Sequence, residues 1–399
     1  MKYCVLIIDG AAGLPIPERG GKTCLELAHT PNLDSIVPEG MLGLVRTVPV
    51  GMEASSACAC MSVLGYDPKV YYRGRAGIEA RSMGIPVGDG EVVFRCNLVA
   101  VEDGKMWDYS SGHISTDEAR QLIGALNESL GSDQVHFYPG IGYRHICKIK
   151  GGEDTLSATC IPPHDIPGKL IDQFLPAGQG SDLLRDLMKR SEVVLRGHPV
   201  NVARMSGGDI PATMLWFFWG SGRAPDMPPF RQVYGLEAAM ASGVDLLHGL
   251  ARMAGMDTLD IPGVTDGLDN DYVAQAGGAL EALERHDLIV IHIEATDEAA
   301  HSGLIDDKVE AIQRIDEEVV SRLRFWQGDD LRVLVLPDHP TPIQTRTHSP
   351  DPVPFLLWEA GLTANGGHRF TEVEAAKTGL LIDPGYNIMG RLIGKDLKI

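Results

Sequence analysis

The 399-residue chain lacks the cysteine pattern of a disulfide-stabilised protein or of a zinc finger. Its seven cysteines are scattered and odd in number, and no C-x-x-C pair is present. Because such thiols are typical of a reducing compartment, we expect the protein to be cytoplasmic. No apolar run approaches the roughly 20 residues that span a bilayer, and the N-terminus enters a strand-like segment without a charged leader. We therefore expect no membrane partner.

Basic residues are also scarce, with 35 Lys and Arg against 54 Asp and Glu and a formal net charge of −19. Nucleic acids and anionic membranes bind to basic surfaces, so we expect no nucleic-acid partner either. No G-x-x-x-x-G-K-[ST] sequence is present, which excludes a P-loop kinase. Hydrophobic residues make up 44% of the chain and charged residues 22%, which is ordinary for a globular protein. No pattern in the sequence indicates an oligomeric state.

Apolar strand-like runs alternate with helical patterns near both ends of the chain. This alternation predicts an α/β fold with a parallel sheet. The middle of the chain differs, because strand-like runs at 92–101, 135–138 and 143–150 accompany only two helical segments. The first of these helices should begin at Ser115, since the sequence S-T-D-E places Glu118 where a capping box requires it.

We predict from this contrast that a smaller α+β domain is inserted into the larger sheet domain. Its limits are placed at 92–208, and the glycine- and proline-rich segment 207–211 is the expected return linker. The larger domain then consists of 1–91 and 209–399, and we expect it to bind metal.

Three apolar runs, at 3–8, 288–293 and 331–336, are the expected neighbours in the parallel sheet. Acidic residues and histidines follow all three runs: Asp9, Asp297, His301, Asp338, His339 and His348. Because the carboxyl ends of parallel strands share one edge, these side chains should meet there. Carboxylates and neutral imidazoles suit zinc, manganese or related divalent ions, and two such ions can share a site. Glu294 lies on the same edge without an assigned role, and His292 is expected to be packed within its strand.

A metal pair of this kind usually acts on a phosphate ester and needs a hydroxyl or water nearby. The segment 52–58 (M-E-A-S-S-A-C) offers two serines among small residues that would allow close approach to the ions. Composition alone also fits a buried helix start, and that alternative stays open. We interpret Cys58 and Cys60 as packed thiols.

Ten segments spread over nearly the whole chain carry a specific resemblance. They are LGYDP (64–68), YYRGRAGIEA (71–80), FRCN (94–97), SGHISTDEA (111–119), YRH (143–145), PPHDIPGK (162–169), HPVN (198–201), ATDEAAH (295–301), PDHPTPI (337–343) and RTHSPDPVPF (346–355). The chain resembles the archaeal-type, cofactor-independent phosphoglycerate mutases of the alkaline phosphatase superfamily. The resemblance implies an alkaline phosphatase-like parallel-sheet core with an inserted substrate-binding domain.

The resemblance also implies two divalent ions, Mn²⁺, Mg²⁺ or Zn²⁺, beside a serine nucleophile. The family pattern assigns Asp297, His301 and His348 to one ion. It assigns the other ion to three further residues together with the serine: Asp9, Asp338, His339 and Ser56. The spacing of the family's G-S-D segment to L-G-Y-D-P selects Ser56 over Ser55. The implied activity is the glycolytic interconversion of 3- and 2-phosphoglycerate through a phosphoserine, without 2,3-bisphosphoglycerate.

A phosphorylated three-carbon acid needs cations for both its phosphate and its carboxylate, and the planar guanidinium of arginine serves best. Candidates for binding this small metabolite lie within the matching motifs: Arg73, Arg75, Arg95, Asp108, His113 and Arg144. His145 is a further candidate. Each of these could instead be a surface residue or a hydrogen-bonded structural residue.

Two departures from the family pattern keep other activities open. Ala57 stands where an acidic residue usually follows the nucleophile, and Gln275 replaces a lysine expected to face the phosphoryl group. The alternatives are a phosphatase or a homoserine kinase, as proposed for a bacterial branch of the family. A metal-binding regulator without turnover is the third, and the full set of candidate ligands argues against it.

Overall fold

The computed structural model describes residues 1–328, 330–359 and 361–394. It divides the chain into two compact units. The first unit is Met1–Tyr72 together with Asp226–Ile399, and the second unit is Arg73–Pro225. Among the residues within these ranges, no helix is both long and apolar enough to cross a membrane.

The described part of the chain contains strands from both units, numbered in chain order. They are β1 (Lys2–Ile8), β2 (Met41–Val45), β3 (Glu91–Glu102), β4 (Lys105–Asp108), β5 (Val135–Pro139), β6 (Arg144–Lys150), β7 (Met214–Gly222), β8 (Ala238–Ala241), β9 (Asp257–Leu259), β10 (Leu288–Ile293), β11 (Leu331–Leu336), β12 (Val353–Trp358) and β13 (Leu381–Ile382).

The helices are numbered in the same way. They are α1 (Cys24–Leu27), α2 (Pro31–Ile36), α3 (Ser56–Val63), α4 (Pro68–Tyr71), α5 (Arg75–Ser82), α6 (Thr116–Leu130), α7 (Ser181–Arg196), α8 (Pro199–Gly207), α9 (Phe230–Tyr234), α10 (Asp245–Met253), α11 (Tyr272–Ala282), α12 (Ala295–Ser302), α13 (Ile305–Ile315), α14 (Ser321–Arg324), α15 (Glu372–Lys377) and α16 (Ile388–Ile393). A π-helical turn, Asp316–Val320, joins α13 to α14.

The first unit is built on an eight-stranded sheet with the order β13-β2-β12-β11-β1-β10-β8-β9. β1 lies between β10 and β11 and runs parallel to both. Only β12 runs antiparallel to its two neighbours. Residues 4–8 of β1 have no exposed surface, as expected for a strand whose two faces are covered. The expected α/β class with a largely parallel sheet is confirmed.

The second unit is built on a five-stranded antiparallel sheet. Strands follow the order β4-β3-β6-β5, and β7 pairs with β3. α6 and α7 cover this sheet with a buried apolar face that includes Leu122 and Leu184, which pack in one cluster with Phe217 of β7. α6 begins at the predicted capping box, in which the Ser115 and Glu118 side chains cap each other's backbone.

The predicted limits of the inserted domain, 92 and 208, are wrong, because both lie inside the second unit. α5 packs on β3 and β7, so the unit begins before the first strand of its sheet. The segment 207–211 is not a return linker, since it leads into β7, which pairs along most of β3.

Candidate metal and nucleophile site

The register of the central strands brings the acidic strand ends of the first unit together. Ile8 of β1 is paired with Ile293 of β10, and Ile7 of β1 is paired with Leu336 of β11. Asp9 follows directly, and its backbone N–H donates to the Ile293 carbonyl at 3.0 Å. The next turns of all three strands therefore meet at one edge of the sheet, as the sequence indicates.

One group at this edge consists of Asp297, His301 and His348. Asp297 and His301 lie four residues apart on α12, so they share a face, and His301 Nε2 lies 3.0 Å from Asp297 Oδ2. His348 Nε2 lies 3.5 Å from the same oxygen and 2.9 Å from His301 Nε2. Three ligand atoms thus converge on one small volume.

The hydrogen bonds of the two imidazoles show which kind of ligand the space between these three atoms can hold. His301 Nδ1 donates to the Arg346 carbonyl at 2.8 Å, and His348 Nδ1 donates to the Ala54 carbonyl at 3.1 Å. A carbonyl only accepts, so each neutral ring keeps its lone pair on Nε2. Two lone pairs and a carboxylate at these distances require a cation between them. Histidine ligands of metals are oriented by such Nδ1 hydrogen bonds.

Without a metal ion, a proton must take the place of this cation. Burial alone would lower the pKa of His301, but the Asp297 carboxylate outweighs it and raises that pKa to about 9. Conversely, burial would raise the pKa of Asp297, and the two imidazoles bring that pKa well below its usual value. The group therefore favours a positive charge strongly, whether a metal ion or a proton supplies it.

A second group consists of Asp9, Asp338 and His339, none of which has exposed surface. His339 Nε2 lies 3.2 Å from Asp338 Oδ2 and 3.6 Å from Asp9 Oδ1. Burial, and then the charge of Asp338, raises the pKa of Asp9 well above its usual value. Asp9 Oδ1 is buried and has no hydrogen-bond partner among the described residues. A divalent ion would satisfy this oxygen and offset the like charges.

Thr341 connects the two groups. Its hydroxyl donates to Asp297 Oδ1. It must therefore accept from His339 Nδ1, which lies 3.2 Å away. This bond leaves the lone pair of His339 on Nε2, facing the two aspartates. Thr341 is fully buried and was not identified from the sequence.

Ser56 lies beside the second group. It is the first residue of α3 and is 7% exposed, and its Oγ lies 3.2 Å from His339 Nε2. The Ser55 hydroxyl caps the helix by accepting from the Cys58 N–H. Small, buried residues follow Ser56 on the helix, so the segment is a buried helix start, and this start places the Ser56 hydroxyl beside the candidate ligands.

Two polar residues without an assigned role also reach Asp9. His292 Nε2 lies 2.8 Å from Asp9 Oδ2, and Glu294, which directly follows β10, has a carboxylate oxygen within 4.8 Å of ligand atoms of both Asp9 and His292. With Asp9 ionised, His292 Nε2 donates to it, and His292 Nδ1 accepts from the Ser242 hydroxyl at 3.0 Å. His292 is packed as expected, but it also orients Asp9. The i, i+2 spacing of His292 and Glu294 at the end of an apolar run was the sequence signal that could have identified them as neighbours of Asp9.

Gln275 does not lie free at the site. It is fully buried, and its Nε2 donates to the carbonyls of His292 at 2.9 Å and Ala241 at 3.3 Å. Its Oε1 accepts from Asn270 at 2.8 Å. The amide thus joins α11 to the ends of β8 and β10. Cys60 is buried as expected, and its thiol lies 3.6 Å from Asp338 Oδ2.

The second unit contains the residues expected to bind the substrate. Arg75 Nε lies 2.7 Å from Glu79 Oε1, and the buried Arg95 also bonds to Glu79. The positive charges of Arg75 and Arg144 act on Arg95, whose pKa is lowered mainly by burial. The structure thus brings Arg75 and Arg95 together at one carboxylate, with the charge of Arg144 acting on Arg95, while Arg73 is an exposed residue at the start of the unit.

The other three candidates of the second unit have structural contacts. Asp108 accepts from the backbone N–H groups of Ser110 and Gly112, at 2.7 and 3.1 Å, and so organises the loop after β4. His113 lies in this loop with a positive φ of 50°. His145 is buried and accepts from the Gly140 N–H at 3.1 Å, and burial lowers its pKa to about 3.

The fold and the site define an α/β protein in which candidate metal ligands on a parallel-sheet edge surround a buried serine. A family model described as 2,3-bisphosphoglycerate-independent phosphoglycerate mutase matches residues 38–201. A 2,3-bisphosphoglycerate-independent phosphoglycerate mutase of Methanosarcina barkeri is 47% identical over 386 residues, which cover 96% of each chain. The chain belongs to this family, and the expected membership is confirmed.

Solved structures agree with this assignment. A cofactor-independent phosphoglycerate mutase from Thermoplasma acidophilum has a TM-score of 0.63 and 25% identity, with 99% of each chain covered. A Pyrococcus horikoshii protein has a TM-score of 0.82 and 26% identity, covering 100% of this chain and 98% of the other.

Proposed function

We propose that this chain interconverts 3- and 2-phosphoglycerate without 2,3-bisphosphoglycerate, a step of glycolysis, by passing the phosphoryl group to Ser56 and back. The observation that carries this proposal is the position of the Ser56 hydroxyl. Its Oγ lies 3.2 Å from His339 Nε2, beside two groups of candidate metal ligands that Thr341 connects. The substrate is a small phosphorylated metabolite.

Two divalent ions are the cofactors in this proposal. Asp297, His301 and His348 would hold one ion, and the second would be held by three residues and the serine: Asp9, Asp338, His339 and Ser56. Oxygen and imidazole ligands of this kind suit Mn²⁺, Mg²⁺ or Zn²⁺. When bound, the ions would lower the pKa of the serine hydroxyl and neutralise charge on the phosphoryl oxygens.

The protein's own residues prepare the serine for attack. Ser56 begins α3, so the positive end of the helix dipole and the backbone N–H groups of its first turn favour an alkoxide and a phosphoryl group there. The small residues after Ser56 leave room for the phosphorus to approach in line. The phosphoserine then transfers its phosphoryl group to the other hydroxyl of glycerate.

The second unit is the substrate-binding domain in this proposal. Arg75 and Arg95 share one carboxylate partner, Glu79, and the charge of Arg144 also acts on Arg95, so this cluster keeps a net positive charge that can hold the substrate carboxylate. Arg73, Asp108 and His113 complete the proposed contacts. The seven free cysteines support a reducing compartment, so we propose the cytoplasm as the location.

Phosphorus NMR of the metal-loaded protein with 3-phosphoglycerate, without bisphosphoglycerate, tests this function. We expect a 2-phosphoglycerate signal in the wild type and none in Ser56→Ala, in which metal binding should be largely retained through the remaining aspartate and histidine ligands. Ser62→Ala is the matched control, because Ser62 lies on the same helix, is buried and has no hydrogen-bond partner for its hydroxyl among the described residues. Free phosphate as the sole product would indicate a phosphatase. Phosphohomoserine from ATP and homoserine, with no 2-phosphoglycerate, would indicate a homoserine kinase.

A further inference from the structure

Trp219 has a backbone conformation that its side chain disfavours. Its φ is +49°, in the left-handed region, where a bulky residue is an outlier. The pairing of β3 with β7 explains this value. Arg95 is paired with Phe218 and Val93 is paired with Ser221, so both Trp219 and Gly220 lie opposite the single residue Phe94. This is a β-bulge, and such a left-handed first position normally holds glycine.

The neighbouring glycine shows how tightly the bulge is packed. A Cβ atom on Gly220 would lie 2.3 Å from the Phe94 ring, so only glycine fits the second position of the bulge. Beyond the bulge, the Ser221 hydroxyl accepts from the Gly77 N–H at 2.7 Å and so fixes the first turn of α5. The bulge therefore determines where α5, with Arg75 and Glu79, lies against the sheet.

The indole of Trp219 lies against the guanidinium of Arg75. The Arg75 Cζ atom is 4.3 Å from the ring centroid, which is a cation–π contact. The Arg75 Nε is bound by Glu79 at 2.7 Å, so the plane and one edge of the guanidinium are both fixed. Within the described residues, the two terminal nitrogens of Arg75 have no hydrogen-bond partner, and its side chain is 27% exposed. A planar fork held in this way presents two parallel donors.

We propose that Trp219 is a positioning residue that aims the terminal nitrogens of Arg75 at an anionic group of the substrate, and this inference rests on the function proposed above. Strained residues that persist at a bulge are typical of functional sites. Glycine would fit the conformation without strain but would leave Arg75 without its aromatic support. The strain is therefore retained for the position of the indole ring.

The non-reacting carboxylate of the substrate is the anion that this arrangement suits. The second unit supplies three clustered arginines in a chain of net charge −19, and Arg95 already engages Glu79. A carboxylate that does not react is held equally in the ground state and the transition state. Loss of such an interaction raises KM and leaves kcat nearly unchanged.

The test measures KM and kcat for 3-phosphoglycerate in a double-mutant cycle of Trp219→Leu and Arg75→Ala. We expect Trp219→Leu to raise KM about 5- to 10-fold and Trp219→Phe about 2-fold, because phenylalanine keeps an aromatic face. In both, kcat should change by less than about 2-fold. In the Arg75→Ala background, Trp219→Leu should no longer change KM, since Trp219 acts through Arg75. Trp358→Leu, a half-buried tryptophan of the first unit, is the control and should match the wild type.

A KM of Trp219→Leu equal to that of the wild type, or an undiminished effect in the Arg75→Ala background, would overturn the inference. Trp219→Gly is the second variant if the leucine protein folds poorly, since glycine suits the left-handed conformation, and it must raise KM likewise. Calorimetric titration of Ser56→Ala with 3-phosphoglycerate separates the two proposals. If 3-phosphoglycerate binds but the wild type does not convert it, only the proposed mutase activity is refuted. The Trp219 and Arg75 double-mutant cycle is then evaluated from Kd values instead of KM. Absence of binding overturns both.

Discussion

Replacement of Thr341 by valine should weaken metal binding without changing the volume of the side chain. The hydroxyl is fully buried, donates to Asp297 Oδ1 and accepts from His339 Nδ1. A hydrogen bond to a charged group contributes about 1.5–3 kcal/mol, and the His339 N–H that loses its acceptor is penalised by about 1–3 kcal/mol. Because the affected groups belong to different candidate ion sites, both sites should be weakened.

Residues that orient metal ligands typically change affinity by about 10- to 100-fold, which is the effect we expect for Thr341→Val on Mn²⁺ binding. Calorimetric titration of the metal-free protein with Mn²⁺ measures it directly. Thr341→Ser keeps the hydroxyl and is the matched control, which should remain within about 3-fold of the wild type. Equal Mn²⁺ affinity of the valine variant and the wild type would refute the role of Thr341 as a connection between the two groups.

Two further predictions concern buried polar residues. Burial lowers the pKa of His145 to about 3, so its contribution to stability is present above pH ~6.5 and is lost as the pH falls from there towards 3. When the pH is lowered from 7.5 to 5, the unfolding free energy of His145→Gln should fall by about 2 kcal/mol less than that of the wild type, as measured by urea titration. His136→Gln, at an exposed position, is the control and should match the wild type. Gln275→Ala should lower the unfolding free energy by about 2–4 kcal/mol, because it removes the bonds to two strand-end carbonyls and leaves a cavity. An unchanged urea midpoint for this variant would contradict the role of Gln275 in joining α11 to the sheet.

The strands and the sheet edge of the first unit were predictable because local signals suffice there. Residues 288–293 and 331–336 form runs of strand length in which five of six residues are apolar, and acidic residues follow each run. Both the strands and the meeting of Asp9 with Asp338 therefore follow from the parallel-sheet rule. The choice of Ser56 over Ser55 needed the family resemblance. The geometry supports this prediction, because the Ser55 hydroxyl is used as the helix cap.

The limits of the second unit and the roles of several polar residues were not predictable. Strand pairing between β3 and β7 joins segments more than a hundred residues apart, and no local pattern records such a pairing. The glycine and proline residues at 207–211 indicate a turn, but the turn lies within the unit. Thr341 and Gln275 act through hydrogen bonds to Asp297 and His292, which are distant in sequence. Gln275 was noted as a departure from the family pattern, but its role in joining α11 to the strand ends was not predictable.

The hydrogen bonds of the histidines at the sheet edge distinguish residues that would bind an ion from one that would orient a ligand. His301 and His348 donate through Nδ1 to carbonyls, and His339 donates through Nδ1 to the Thr341 hydroxyl, so their Nε2 lone pairs face carboxylates. His292 has the opposite arrangement, since its Nε2 donates to ionised Asp9 and its Nδ1 accepts from Ser242. A neutral His292 therefore satisfies Asp9 Oδ2 by itself, whereas Asp9 Oδ1 remains for a cation. This difference favours two ion positions, rather than a third ion between Asp9, His292 and Glu294.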